Sequence, residues 1–445
     1  MYDSIVIEGK NKPTATFVFE HFVNDALSAA SSKGMPVVRV VPETIVSEST
    51  VREDIEAAVT AVADDMIGAL TRPLTAEEKS PKPRELEKPA RIVFKGSLEE
   101  VNRFYYKRGW TDGLPIMPPT EDAVAEMLTG TDLPANHIVA ELEPRRGKAT
   151  IEKIAINAAM AGALPTYMPL LIAGVQALAA NPSSGMMAAS TGSWAPFWLI
   201  NGPVSKDLQI NSSFGALSPG NIANATIGRA MGLITKNIRG IRKQIEDMGV
   251  LGNPGKYSMV AAENEEFCPW EPMHVEHGFS KADSTITLTF PQSFQQMIPY
   301  GTDDKGILTT VVTSITQARM GLFALILTPA NAKSLASKGW TKKKIKDYIV
   351  ENARFTVDYY SQFGPGDREL FIGNGPADKG NSHSIFRITQ RDPEPIQIYV
   401  LGGFGSWMGF LQGGPQPVIK KAELPANWNN LVAKYKNIVP SYVRY

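Results

Sequence analysis

A charged, proline-rich stretch constrains this chain more than any other feature. It runs from Thr75 to Arg91 as Thr-Ala-Glu-Glu-Lys-Ser-Pro-Lys-Pro-Arg-Glu-Leu-Glu-Lys-Pro-Ala-Arg. With almost nothing apolar to bury, it cannot sit inside a core, so residues 75–91 are expected to link a small unit, 1–74, to a large one, 92–445. In the small unit, Thr14 to Phe19 is a β-branched and aromatic run, Asn24 to Ser32 favours a helix, and Val37 to Val41 is again strand-like. Strand, helix, strand implies a parallel pair. Ile55, Val59, Val62, Met66 and Leu70 then recur at helical spacing, and that face is expected to pack on the sheet.

No second linker of this composition follows Ile92, and no repeat at a fixed period is visible. Thr150 is placed to cap a helix carrying Ile151, Ile154, Ala155, Ala158, Ala159 and Gly162 along one face. A second helix is expected near Asn224, where Gly228 and Gly232, four apart, admit close approach of another backbone. Phe197 to Ile200, Ser284 to Phe290 and Pro395 to Gly403 read as strands, and Lys342 to Asn352 as a helix with Ile345, Tyr348 and Ile349 inward. The expected class is α/β or α+β: a small parallel-sheet α/β unit, a linker, and a large mixed domain holding the active site.

The balance of 45 Lys+Arg against 45 Asp+Glu gives no bulk attraction to nucleic acid or an anionic membrane, so neither is expected as a partner. The single cysteine, Cys268, excludes an internal disulfide, a Cys-ligated zinc site or an iron–sulfur cluster built by this chain alone. Acidic residues at the start and the absence of a basic region with an apolar run argue for a cytoplasmic protein. Leu170 to Ala180 is too short for a span of roughly 20 residues and is expected as a buried helix.

The densest chemical constellation lies between Tyr257 and Phe279. Glu263, Asn264, Glu265 and Glu266 follow an apolar run and are expected to emerge at a strand end, where crowded carboxylates raise one another's pKa and act near neutral pH. A solvated acidic turn is the alternative. His274, His277 and Glu271 have spacing compatible with metal ligation on one helix, although such pairs are commonly surface histidines; no metal is assigned. A second constellation suits anions: the Ser212 to Asn224 loop, including Ser218, leads into a helix bearing Arg229, and Lys153 sits in a first helical turn, where a cation opposes the helix dipole unless something negative binds. Trp110-Thr-Asp-Gly-Leu-Pro has the features of a pocket lip or of an ordinary domain-entry loop, with Asp112 its candidate residue, and Trp270 is a candidate for substrate binding. Cys268 is expected to be inert because acidic neighbours raise its thiol pKa. The run from Lys342 to Lys346 is expected as a solvated helix face. No nucleotide motif is present, and no cofactor is indicated.

Several strings carry a resemblance: Arg108-Gly-Trp-Thr-Asp-Gly-Leu-Pro-Ile, Thr150-Ile-Glu-Lys-Ile-Ala-Ile-Asn-Ala-Ala-Met-Ala-Gly, Asn224-Ala-Thr-Ile-Gly-Arg-Ala, Ala262-Glu-Asn-Glu-Glu and Pro269-Trp-Glu-Pro-Met-His-Val-Glu. Over about Arg103 to Leu411 the chain resembles a widespread bacterial family associated with UGSC-type selenoprotein or thiol proteins. The first 75 residues more weakly resemble the latter half of the UGSC domain and of the selenoprotein substrate subunit of glycine reductase. In that pattern a Sec/Cys-Gly-Ser/Thr-Cys loop precedes the segment matching Lys12 to Phe19, and it is absent from this sequence. The resemblance therefore implies either a separate subunit supplying the thiol or selenol, or chemistry that dispenses with it. The pattern usually has Arg where this chain has His277, which weakens a metal pair.

These readings converge on a small-molecule catabolic enzyme of lyase or hydratase type. Lys153, Arg229, Asn224, Ser218 and Trp270 are expected to bind an anionic metabolite, while Glu263, Glu266, His274 and Asp112 serve proton transfer in elimination, hydration or C–heteroatom cleavage. The competing readings are a substrate-binding subunit of a complex whose partner supplies the thiol or selenol, and a metal-dependent hydrolase or lyase. A small parallel sheet leaves edges and an apolar face to cover, so a homo-oligomer is expected, with Lys12 to Leu70 in its interface. A truncation beginning near Ile92 is predicted to stay folded and lose assembly; sedimentation showing the same state for both chains would refute this.

Overall fold

The computed structural model describes residues 2–35, 37–45, 51–80, 90–317, 323–356, 385–387 and 395–438. Strands β1 (Thr16–Phe19) and β2 (Val40–Glu43) pair in parallel around the Val23–Ser32 helix. A hairpin follows from β3 (Ile138–Leu142) and β4 (Gly147–Thr150). The remaining strands are β5 (Phe197–Asn201), β6 (Val260–Ala262), β7 (Thr285–Thr289), β8 (Ser293–Met297), β9 (Phe323–Leu327), β10 (Arg354–Thr356), β11 (Ile385–Arg387), β12 (Gln397–Val400), β13 (Met408–Gln412) and β14 (Val418–Lys421). Two four-stranded sheets dominate, ordered β14-β7-β5-β6 and β12-β9-β13-β8, each mixing parallel and antiparallel pairs. This is an α/β protein.

Alternation along the strands shows how these sheets stack. In β5, Trp198 and Ile200 join a core with the Ile151–Ala161, Met168–Ala180 and Ile222–Asn237 helices, while Phe197 and Leu199 point the other way. In β9, Ala324 and Ile326 meet Phe197 and Leu199, whereas Phe323, Leu325 and Leu327 face the Asp304–Gln317, Pro329–Ser337 and Lys342–Asn352 helices. The result is four layers, helix, sheet, sheet, helix. Because both faces of each sheet are covered, β5, β7 and β9 are buried at every residue, and Phe197 stacks on Tyr399 across the inter-sheet seam at 6.1 Å.

The helices follow local signals. Thr150 accepts from the Lys153 amide, and the Ile151–Ala161 helix ends at Gly162, which takes φ +75° as a C-cap instead of lying on the packed face. Asn221 caps the Ile222–Asn237 helix. A Cβ on Gly228 would meet Ser258 Oγ at 2.2 Å and Ser258 Cα at 2.9 Å, so the close approach anticipated at that glycine is real. Met168–Ala180 is buried almost all round, and among the described residues no helix is long and apolar enough to cross a membrane.

The small unit departs from expectation in two places. Of the face expected to pack, Ile55, Val59 and Leu70 are exposed, and Ala69 is the one buried residue of the Arg52–Thr71 helix. A 20-residue helix is about 30 Å long, and strands of four residues reach only roughly 13 Å, so the sheet covers one end. The expected linker also begins inside the unit. Thr75 forms a capping box with Glu78, whose carboxylate binds the buried Arg39 through both oxygens at 2.9 and 3.0 Å. Arg39 in turn donates to the carbonyls of Ala69, Arg72 and Pro73, fastening the helix end. Residues 81–89 lie outside the described residues.

Polar contacts join this unit to the large domain. Ser28 donates to Glu246 at 2.5 Å, Arg145 and Arg242 grip the same carboxylate, each at 2.6 Å, and Lys33 pairs with Glu143 at 2.8 Å. Burial opposes ionisation of Glu246, but Arg242, Ser28 and Arg145 outweigh it and hold the carboxyl at about 2. Nearby Asp25 is pushed up to about 6, first by burial and then by the charge of Glu246. A carboxyl raised on folding contributes stability that is full below its ordinary value of 3.8 and is lost as pH rises through about 6. Asp25→Asn is therefore predicted to raise stability relative to the parent above pH 6 and to leave it unchanged in the acid range, as read by urea midpoints across pH.

Candidate functional site

The carboxyl ends of β5, β6, β9 and β12 meet at one point. The Glu263 amide donates to Ile200 at 3.0 Å, the Asn264 amide to Val400 at 2.7 Å, and the Leu401 amide to Leu327 at 3.0 Å, so the turn after β6 joins both sheets. Open α/β sheets place their reactive groups at such ends. Glu263 is fully enclosed. One oxygen accepts from Asn201 at 2.7 Å and the Met273 amide at 2.8 Å; the other accepts from the Val400 amide at 3.4 Å and faces Lys342 Nζ at 3.8 Å. Burial pushes its carboxyl up against the opposing pull of Lys342 and these donors.

Lys342 is only 3% exposed and not part of a solvated face, which corrects the expectation for the Lys342 to Lys346 run. Its ammonium contacts Glu276 at 2.7 Å and the Glu271 carbonyl at 2.8 Å. Burial pulls its pKa down; Glu263 and Glu276 more than compensate, and the direct bond to Glu276 favours the charged form. The reasoning applied to Lys153 fits Lys342 better. It is the first residue of a helix capped by Thr341, a cation at the positive end of a dipole, and carboxylates neutralise it.

Glu265 and His274 occupy the outer side of the cluster. Glu265 accepts from the Gly202 amide at 2.7 Å and from Asn201 at 3.1 Å. Gly202 is required there: φ is +85°, and a Cβ would lie 2.0 Å from the Asp283 carbonyl oxygen. His274, in the short Met273–Glu276 helix, is 0% exposed, and neither ring nitrogen has a hydrogen-bond partner. The Ser280 backbone favours the protonated ring without closing a hydrogen bond, and Glu265 Oε1 stands 3.9 Å from Nδ1. Burial lowers the imidazole pKa, outweighing the carboxylates of Glu265 and Asp283. Asn201 Oδ1, Thr285 Oγ1 and Tyr399 OH are likewise buried and unpartnered, with Asn201 and Thr285 paired across β5 and β7. Buried polar groups are normally satisfied, so this concentration makes the seam the candidate site.

The remaining residues singled out from sequence lie elsewhere in the contact network. Arg229 binds Asp112 at 2.8 and 3.0 Å and donates to the carbonyls of Leu114 and Pro115, so its guanidinium holds a loop. Lys153 is exposed and turns back to the Lys148 carbonyl at 3.1 Å. Neither shares a hydrogen bond or ion pair with the Glu263 cluster among the described residues. Asn224 is a buried clasp on Asn211, Ala216 and Val260. Ser218 is exposed in a turn closed by its own amide on Gly215. Glu266 is exposed beside Lys206 at 3.5 Å, and Trp270 donates to the Trp340 carbonyl at 2.9 Å while packing on the second helical layer. His277 meets Gln397 at 3.3 Å, apart from the enclosed His274; among the described residues no group of three or more His, Cys, Asp or Glu is placed to hold a metal. Cys268 is pushed up to about 11, first by burial and then by Glu263, not by the adjacent Glu265 and Glu266.

Comparison with family models, curated proteins and solved structures finds no match for this chain.

Removing Lys342 leaves the fully buried Glu263 and the part-exposed Glu276 without their shared cation. Lys342→Met is predicted to destabilise the fold by about 3–5 kcal/mol, with the loss relieved in part by Glu276→Gln in the same chain. Denaturant midpoints of the single and double variants test this, and an unchanged midpoint for Lys342→Met would refute it.

Proposed function

We propose that this protein is an enzyme that moves a proton on a small organic substrate at the meeting point of β5, β6, β9 and β12. The reaction class is elimination, hydration or C–heteroatom cleavage. One observation carries the reading: a fully buried imidazole without a hydrogen-bond partner lies 3.9 Å from a carboxylate that is itself 23% exposed. Glu265, held by Gly202 and Asn201, reaches the surface and exchanges the proton with the substrate. His274, whose burial favours the neutral ring, stands 3.9 Å behind the carboxylate and positions it.

The geometry shifts roles within the expected set. Glu263 has both oxygens committed and serves as the support that fixes Asn201, Met273 and Lys342 around the reacting pair. Asp112 and Arg229 satisfy each other, so the task of holding a substrate anion does not fall to them. Cys268 stays a thiol at neutral pH, so a thiolate nucleophile has no part in this reading.

Glu265→Gln and His274→Gln are expected to lower turnover by about 10²-fold or more in a substrate screen while circular dichroism stays unchanged. A pKa below the ordinary imidazole value of 6.5 keeps His274 neutral further into acid, so the acid limb of kcat is expected below pH 6.5. Full activity in both folded variants would end this reading.

A further inference from the structure

The loops tied to the Asn264–Phe267 turn carry aromatic rings where an anion site would need cations. Phe214, Phe267 and Phe404 are 69%, 46% and 54% exposed. Singly, exposed phenylalanines need no explanation. These three sit on neighbouring loops at the same strand ends. Phe267 and Phe404 meet edge to face at 4.8 Å, and Phe214 lies so close to Gly403 that a Cβ there would be 2.2 Å from its ring. The loops are tied together: Asn264 donates to the Gly402 carbonyl at 3.4 Å, and the Gly402 amide donates to Ser212 at 2.8 Å.

Charge points the same way. Glu265 and Glu266 sit between Asn264 and Phe267 in a turn closed by the Phe267 amide on the Asn264 carbonyl. Against them stands Lys206, 3.5 Å from Glu266, while Lys342 is already bound to Glu276. Arg229 and Lys153 are occupied with protein oxygens. Ring faces carry negative charge density, and carboxylates beside them add to it; together they attract a large, weakly hydrated cation and repel an anion. His274, buried behind Glu265 without a hydrogen-bond partner, lies at the same end of the fold.

We propose that the ligand received here is an organic cation, an alkylammonium or quaternary ammonium group, set on Phe214, Phe267 and Phe404 with Glu265 and Glu266 supplying the counter-charge. This rests on the proton-transfer reading for its place in a reaction, but not for the binding itself.

Choline and its neutral isostere 3,3-dimethylbutan-1-ol, titrated into the full chain by calorimetry, separate charge recognition from apolar contact. Saturable choline binding is expected, at least tenfold tighter than the isostere and weakened by added salt. Phe404→Ala and Glu266→Gln are each expected to weaken it about three- to thirtyfold, and both positions are exposed enough for the fold to persist. Saturation-transfer NMR on the choline methyls provides a second readout in each variant. Equal affinity for both probes, absence of saturable binding, or binding indifferent to both substitutions would overturn the proposal. If choline fails while Glu265→Gln still abolishes turnover, the cation inference falls alone; if choline binds as expected and no variant alters turnover, the catalytic reading falls alone.

Discussion

The carboxylate of Glu263 organises the centre of this molecule. It collects an amide from β12, an amide from the Met273 turn, a side-chain amide from β5 and a lysine from the far helical layer. An ion pair in a dry interior gains stability only if its remaining lone pairs and protons are satisfied. Here nearly every one is, and the donors come from both sheets. The consequence is directional: the seam between the sheets is fixed at its carboxyl end by a few polar bonds and along its length by apolar contact among residues such as Leu199, Ile326 and Leu411.

Rigidity at Glu263 makes the unsatisfied state of His274 stand out. A flexible site would let the imidazole rotate toward a partner; here, 3.9 Å from Glu265, it has none. Such an arrangement stores unmet hydrogen-bonding capacity at a chosen position, which is how pre-organised sites differ from ordinary cores. The Asp112–Arg229 pair shows the opposite economy of form. Every strong donor there already has its acceptor, and the pair secures the loop around Leu114 to the Ile222–Asn237 helix.

Local signals made much of this architecture legible. Thr150, Asn221 and Thr341 cap helices because a hydroxyl or amide side chain stands before an apolar period, and the close approach at Gly228 was readable from its spacing to Gly232. The strand ends near Glu263 could be read from Val260-Ala-Ala followed by Glu-Asn-Glu-Glu. Pairings across long sequence separation were not legible. Arg229 looks like an anion site until Asp112 arrives from more than a hundred residues away, and Lys342 looks like one of a solvated run until Glu276 and Glu263 surround it. The exposure of Ile55 and Val59 escaped for a third reason: helical periodicity reports an apolar face, not whether the neighbouring sheet is long enough to cover it.

Strand order has a consequence for how the molecule is made. The sheet begun by β5, β6 and β7 is completed by β14, and the Trp428–Tyr435 helix returns to the first helical layer, where Trp428 donates to Asp207 and Tyr435 to Glu126. Between β7 and β14 the chain lays down the whole second sheet. During synthesis, the first sheet must therefore wait with an open edge at β7 while the second is translated, and it closes only when β14 has left the ribosome. The Lys420 and Lys421 pair on β14 then gives the finished sheet a charged margin, so the stretch of greatest exposure to mispairing belongs to the nascent chain and not to the mature protein.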